Sequence, residues 1–214
     1  MPNSSLDQSR ERLLDGVRKF RKEIFPRRRE VYEQVIEEGQ EPHTLFITCA
    51  DSRIDPELIT QSGPGDIFVA RNIGNIVPAY GEVLGSISAV IEYAVSALEV
   101  DQVVICGHSD CGAMKGLRQQ ETLSKLPVVQ RWLQNAQAAL RITEALSPET
   151  GGPEFLHSLI EQNVILQVNH LRTHPSVAGR IAQGNLAVYG WLYDIAAGTV
   201  SAYNEATGHF EEVN

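Results

Sequence analysis

Apolar residues in the first part of the chain recur at the three- and four-residue spacing of an amphipathic helix. The first run consists of six positions: Leu13, Leu14, Val17, Phe20, Ile24 and Phe25. The second run consists of Val31, Val35 and Ile36, and Gly39 follows it as a residue type that often ends helices. Because proline disturbs a helix interior, the pattern predicts two amphipathic helices with a break at Pro26.

From residue 44 onward the pattern changes to short runs rich in β-branched residues, which are typical of strands buried on both faces. Four runs are predicted to be strands: 44–49, 66–71, 102–107 and 164–168. Helical patterns separate or follow them: 82–99, 126–146, 153–163 and 174–184. This alternation predicts an α/β fold with a central, mostly parallel β-sheet flanked by helices.

Two segments near the end of the chain, 191–197 and 199–203, flank Gly198 and predict a β-hairpin or a pair of edge strands. The polar stretch 147–153 is interpreted as a loop inside the domain. The predicted organisation is an N-terminal helical arm, residues 1–40, followed by a single α/β domain, residues 41–214.

Composition narrows the classes of protein. The chain has 214 residues and a net charge of −9, which argues against nucleic acid as the main partner because phosphate binding needs a basic surface. It contains no apolar run of the roughly 20 residues that a membrane-spanning helix needs. Three cysteines are too few for a disulfide framework, and the polar N-terminus lacks a secretory signal, so an intracellular, cytoplasmic location is expected.

Candidate chemistry lies where two of the predicted strands end. Cys49 ends the first strand and Asp51 and Arg53 follow it, while His108 and Cys111 follow the third. If those strands are neighbours, their carboxyl ends bring the side chains together at one edge of the sheet. Cysteine and histidine are the ligands that Zn²⁺ prefers, and an acid paired with an arginine can orient a reactive water.

Plainer interpretations remain open for these residues. Cys49 and Cys111 could be buried structural cysteines, and Asp51–Arg53 could be only a stabilising ion pair. A structural zinc site usually has four Cys or His ligands, so three ligands beside an acid–arginine pair favour catalysis. Cys106, inside a predicted strand, is interpreted as a core residue.

The two segments together carry a family resemblance. Cys49-Ala50-Asp51-Ser52-Arg53, followed by Gly-His-Ser-x-Cys-Gly at 107–112, resembles the paired motifs of the β-class carbonic anhydrases. Supporting matches occur at 68–75, 89–94 and 112–116, and the resemblance runs from around residue 13 to the C-terminal hairpin.

The resemblance implies that Cys49, His108 and Cys111 bind one Zn²⁺ per chain, with water or hydroxide in the fourth position. Asp51 and Arg53 would be the catalytic pair beside that position. The implied reaction is the reversible hydration of CO₂ to bicarbonate and a proton through zinc-bound hydroxide. It also implies a homodimer or homotetramer in which the N-terminal helices embrace the partner and residues of both subunits line each pocket.

Five residues match substrate-pocket positions of the family: Gln40, Phe68, Ile73, Tyr93 and Gly112. By this resemblance Gln40 would donate a hydrogen bond to a substrate oxygen, while the Phe68, Ile73 and Tyr93 side chains would form apolar walls. Gln40 could instead be an ordinary loop residue, and Tyr93 could be a core residue.

One position distinguishes subgroups of the family. Phe46 stands where the subgroup with an inhibitory bicarbonate site has tryptophan, so the chain resembles the subgroup whose fourth zinc position is open. Asp110 receives no functional interpretation from the sequence. Two alternatives remain: a carbon disulfide or carbonyl sulfide hydrolase on the same scaffold, and a metal-binding protein without catalytic activity.

Overall fold

The computed structural model describes residues 5–81, 85–147 and 152–213. The chain divides after Gln40 into two compact units, Met1–Gln40 and Glu41–Asn214. Among the described residues, no helix has the length and apolar character needed to cross a membrane.

The first unit is helical throughout. Helix α1 spans Ser5–Lys19, a π-helical turn spans Phe20–Ile24, and α2 spans Phe25–Glu38. The predicted break at Pro26 is therefore wrong. Pro26 lies in the first turn of α2, where a missing N–H is tolerated, and the wider π turn before it keeps the chain helical.

The apolar face of these helices is exposed. The side chains of Leu13 and Val17 are 74% and 63% exposed, and no residue of α1 or α2 is buried. Gly39 ends α2 with a φ of 85°, as its sequence position predicts.

The second unit is built on one six-stranded sheet in the order β2-β1-β3-β4-β5-β6. Its strands are β1 Thr44–Cys49, β2 Ile67–Asn72, β3 Gln102–His108, β4 Ala187–Asp194, β5 Thr199–Asn204 and β6 His209–Glu212. The first four strands of this order run parallel, and the last two are antiparallel to their neighbours. The predicted α/β class and mostly parallel sheet are confirmed.

Seven helices of this unit are described: α3 Pro56–Thr60, α4 Ser86–Ser96, α5 Gly112–Arg118, α6 Pro127–Trp132, α7 Gln137–Leu146, α8 Gly152–Arg172 and α9 Pro175–Ala182. A 3₁₀ turn, Leu133–Ala136, joins α6 to α7 within the predicted helical region 126–146. Residues 82–84 of the predicted helix 82–99, and 148–151 of the predicted loop, lie outside the described residues.

The strand predicted at 164–168 is wrong, because these residues belong to α8. Val164 and Val168 lie one helical turn apart on the buried face, and a short apolar run has the same composition in a buried helix as in a buried strand. Two glycines let α8 approach the sheet closely. A Cβ added at Gly107 or Gly190 would lie 2.6 or 2.9 Å from a methyl group of Val164.

The C-terminal hairpin is confirmed, with Gly198 at a φ of 71° in its turn. It is larger than expected, because β4 starts at Ala187, where it pairs with β3, and β6 adds a third strand. The centre of the sheet is buried on both faces. Leu45 and Ile47 pack into one cluster with α4 and α8, while Phe46 packs edge-on against Trp191 with 5.9 Å between ring centroids.

Cys106 lies in this core, as predicted, and is fully buried. Burial raises the pKa of its thiol to about 12. Burial therefore favours the neutral thiol of Cys106, as expected for a core residue.

Candidate metal centre

Adjacent strand ends bring Cys49, His108 and Cys111 together. Cys49 is the last residue of β1, His108 is the last residue of β3, and the two strands pair in parallel. A tight turn then places Cys111 at the start of α5. Their Sγ and imidazole nitrogen atoms all lie within 4.8 Å of one another, and all three side chains are buried. Such a cluster can hold a metal ion.

The tautomer of His108 can be assigned from its contacts. Nδ1 lies 2.8 Å from the carbonyl oxygen of Ser109, which can only accept a hydrogen bond, so Nδ1 carries the proton. Nε2 therefore presents a lone pair. It is buried and has no hydrogen-bond partner among the described residues. A metal ion would satisfy this atom, which otherwise carries a desolvation penalty.

The two thiols shift each other's pKa in opposite directions. The contact with Cys111 is the main cause that lowers the pKa of Cys49, and contacts with His108 and Gly74 contribute. The same contact, together with burial, raises the pKa of Cys111 well above its ordinary value. A divalent cation would favour the thiolate form of both.

The loop after β2 supplies a hydrogen bond to the cluster. The backbone N–H of Gly74 donates to Sγ of Cys49 over 3.4 Å. Gly74 has a φ of 82°, and a Cβ there would lie 3.1 Å from Cβ of Ala113. Both the conformation and the close approach favour glycine.

Two buried amides of α8 hold this loop. Nδ2 of Asn163 donates to the carbonyl oxygen of Gly74 over 3.1 Å, and Nε2 of Gln167 donates to Oδ1 of Asn163 over 2.9 Å. Oε1 of Gln167 accepts from the N–H of Val77. Sequence reasoning missed both amides. The available signal was a pair of amides four residues apart on an otherwise apolar helix face.

Asp51 and Arg53 form a bidentate pair beside the cluster. Nε and one terminal nitrogen of Arg53 donate to the two carboxylate oxygens of Asp51 over 2.9 and 2.8 Å. These hydrogen bonds hold the pKa of Asp51 well below its usual range. Oδ2 of Asp51 lies 3.9 Å from Nε2 of His108, so an ionised carboxylate faces the metal-binding atoms.

Two further cations surround this pair. Arg71 donates from Nε to the carbonyl oxygen of Cys49 and from a terminal nitrogen to that of Asp51, which fixes the backbone between the two side chains. Arg53 also reaches Asp110, which in turn accepts a hydrogen bond from Lys115. The sequence indicated neither role.

The predicted pocket residues are distributed more widely. Ile73 lies in the loop beside Gly74 and is 42% exposed, and Gly112 is the first residue of α5. Tyr93 of α4 packs on Phe68 of β2, with 6.0 Å between ring centroids. Gln40 is the last residue of the first unit, and the cluster belongs to the second.

Phe68, on which Tyr93 packs, lies near the start of the parallel strands, whereas the cluster lies where they end. Phe68 pairs with Leu45, four residues before Cys49 along β1. At about 3.3 Å per residue this separation is roughly 13 Å. Phe68 therefore does not adjoin the cluster of its own chain.

Comparison with known proteins identifies the family. Residues 44–200 match the family model for carbonic anhydrase. A solved β-carbonic anhydrase, CcaA, superimposes with a TM-score of 0.93 at 41% identity, covering 97% of this chain and 93% of that one. The chain belongs to the β-class carbonic anhydrases.

Curated relatives agree with this placement. A carbonic anhydrase from Synechococcus elongatus is 45% identical over 190 residues, covering 88% of this chain and 70% of the relative. One from Pseudomonas aeruginosa is 43% identical over 198 residues, covering 92% of this chain and 89% of the relative. The chain is thus a β-carbonic anhydrase whose Cys49, His108 and Cys111 form a cluster able to bind a metal ion.

Proposed function

We propose that this β-carbonic anhydrase catalyses the reversible hydration of CO₂ to bicarbonate and a proton, with one zinc ion per chain. The proposal is carried by the buried cluster of Cys49, His108 and Cys111, whose ligand atoms lie within 4.8 Å of one another. In it, Nε2 of His108 has no hydrogen-bond partner among the described residues and faces ionised Asp51. Two thiolates and an imidazole suit borderline-soft Zn²⁺ better than hard cations such as Mg²⁺.

Three protein ligands leave one tetrahedral position for a reacting molecule. Zinc held by the three ligands would lower the pKa of a water in that fourth position and so supply hydroxide near neutral pH. Arg53 occupies both carboxylate oxygens of Asp51, which supports a site whose fourth position is open rather than filled by Asp51. The residue Phe46, in place of tryptophan, favours the same subgroup.

Asp51 orients the attacking water. Its carboxylate stays ionised because Arg53 lowers the pKa of Asp51. The carboxylate therefore accepts a hydrogen bond from the water, and a lone pair of the water oxygen is left directed toward the CO₂ carbon. Correct orientation of the two reactants removes much of the entropic barrier. Ile73 and Gly112, the two predicted pocket residues nearest the cluster along the chain, are the proposed contacts of CO₂ within one chain.

A second subunit would complete the pocket. Phe68 and Tyr93 lie too far from their own cluster, and Tyr93 is 50% exposed, so we propose that the pair lines the pocket of a partner, with Gln40 as a donor to substrate. The exposed apolar face of α1 and α2 would cover the partner in a homodimer or homotetramer. A structure of two β-carbonic anhydrases from Sordaria macrospora, 32% identical to this chain, is described as tetrameric.

The relatives described above are carbonic anhydrases, so they give no support to a carbon disulfide or carbonyl sulfide hydrolase. The ionised Asp51 held by Arg53 argues against a metal-binding protein without activity, because such a protein needs no oriented carboxylate.

Stopped-flow CO₂ hydration, with zinc per chain quantified, tests the proposal. We expect about one zinc per chain and fast hydration between about pH 7 and 9. Cys49→Ser is expected to lose both, while Cys106→Ala, which removes the core cysteine, is the matched control that retains both. A zinc-loaded protein with negligible hydration over this range would contradict the proposal.

A further inference from the structure

The guanidinium of Arg53 connects two carboxylates. Nε and one terminal nitrogen donate to Asp51, and the other terminal nitrogen donates to Oδ2 of Asp110 over 2.9 Å. The terminal nitrogen that donates to Asp51 also donates to the backbone carbonyl oxygen of Asp110 over 3.4 Å. Because a guanidinium is planar and rigid, fixing one terminal nitrogen also fixes the direction of the donors on the other side.

Asp110 is itself held in place. Its φ is 61°, in the left-handed region that aspartate and asparagine tolerate better than most residues. Nζ of Lys115, on α5, donates to Oδ1, the oxygen that Arg53 does not use. Each oxygen of the Asp110 carboxylate thus has its own cationic partner, and the row Lys115, Asp110, Arg53, Asp51 leads from α5 to the metal-binding cluster.

We propose that Asp110, supported by Lys115, is a positioning residue for CO₂ hydration that fixes the Arg53 guanidinium so that two of its donors stay on Asp51. The inference rests on the proposed function, because it takes Asp51 to orient the attacking water. Without Asp110, Arg53 could rotate toward solvent, and Asp51 would lose the partner that sets its direction.

Because these side chains are exposed, an effect on the geometry of the site can be distinguished from an effect on the stability of the fold. Arg53 and Asp110 are 45% and 53% exposed. Exposed ion pairs contribute little to the stability of a fold, because water screens the two charges. Removal of the Asp110 charge should therefore change the geometry of the site much more than the stability of the fold.

The test is a double-mutant cycle of Asp110→Asn and Arg53→Gln on the zinc-loaded, full-length protein. Asparagine keeps the size and tolerates the left-handed backbone, but it has no charge, and an NH₂ group replaces one of the two oxygens that accept from Arg53 and Lys115. The matched control is Glu144→Gln, which neutralises an exposed carboxylate paired with Arg141 over 2.8 Å on α7.

We expect Asp110→Asn to lower kcat/KM about tenfold. Zinc content should stay at the wild-type level, and the shift in Tm should match that of Glu144→Gln. The double variant should be no slower than Arg53→Gln alone, because Asp110 acts through Arg53. The control should keep the wild-type rate.

Three results would overturn the inference: an Asp110→Asn rate within twofold of wild type, effects of the two substitutions that multiply fully, or a slower rate explained by lost zinc. The wild-type rate in the same experiment distinguishes these from failure of the proposed function, since a zinc-loaded wild type without hydration activity would remove both.

Discussion

Asn163 of α8 donates a hydrogen bond to the carbonyl oxygen of Gly74, and the N–H of Gly74 donates to Sγ of Cys49. A single residue, Gly74, thus connects a buried helix side chain to a proposed zinc ligand. Residues that orient metal ligands in this way contribute to metal affinity as well as to folding.

Asn163→Leu is expected to weaken zinc binding about 10- to 100-fold. It should also lower the free energy of unfolding by about 1–3 kcal/mol, because the Gly74 carbonyl and the Gln167 amide lose a partner inside the protein. Chelator competition and urea unfolding measure the two effects.

The control for this prediction is Thr143→Val, which removes a buried hydroxyl that donates to a carbonyl of its own helix. It should change stability without changing zinc affinity. If Asn163→Leu behaves in the same way, the amide supports the fold only.

Gly74→Ala is expected to reduce both stability and zinc affinity, because a Cβ would meet Ala113 at 3.1 Å and Met114 at 3.3 Å. The control is Gly198→Ala, at a φ of 71° with no described atom within 4 Å of the added Cβ. In the control, the left-handed backbone alone should lower the free energy of unfolding by about 1–2 kcal/mol. In Gly74→Ala, overpacking should lower it by about 1–3 kcal/mol more. Equal losses in urea unfolding would show that the loop moves away from α5.

Asp51→Asn is expected to lower kcat/KM for CO₂ hydration about 100-fold while zinc content stays unchanged. The amide is isosteric with the carboxylate but carries no charge and offers one oxygen where Arg53 needs two. Asp55→Asn is the matched control, since asparagine caps the N-terminus of α3 as well as aspartate does. Full activity in Asp51→Asn would mean that this carboxylate does not orient the attacking water.

His174 should make the fold less stable in acid. Burial lowers the pKa of this imidazole, which is 3% exposed and whose Nε2 donates to the carbonyl oxygen of Pro78. Its folded-state pKa lies below its unfolded-state value, so the unfolded chain takes up the proton first as pH falls. The stabilising contribution is complete above about pH 6.5 and decreases below it.

Glutamine at this position keeps a donor for Pro78 and cannot titrate. His174→Gln should therefore show a smaller loss in free energy of unfolding than wild type when the pH is lowered from about 7.5 to 5.5. Urea unfolding at both values measures it, with the metal state held the same in both proteins. Identical losses would assign the acid sensitivity to other groups.

The sequence was most informative where a local pattern has one structural solution. The runs at 44–49 and 102–107 are strands because short, mostly apolar runs rich in β-branched residues suit a sheet covered on both faces. The run at 164–168 failed because the same composition suits a buried helix, and only packing of Val164 against Gly107 and Gly190 distinguishes the two. The break predicted at Pro26 was wrong for a related reason, since a π-helical turn before the proline keeps the chain helical.

The family and the set of chemically suited residues follow from the sequence alone, because ligand type and spacing after two strands are local properties of the chain. Which of these residues come into contact depends on the fold. The parallel pairing of β1 with β3 brings Cys49 to His108, and contacts between residues distant in sequence give Asp110 and Asn163 their partners. Such contacts depend on how helices pack on the sheet, so no short stretch of sequence encodes them.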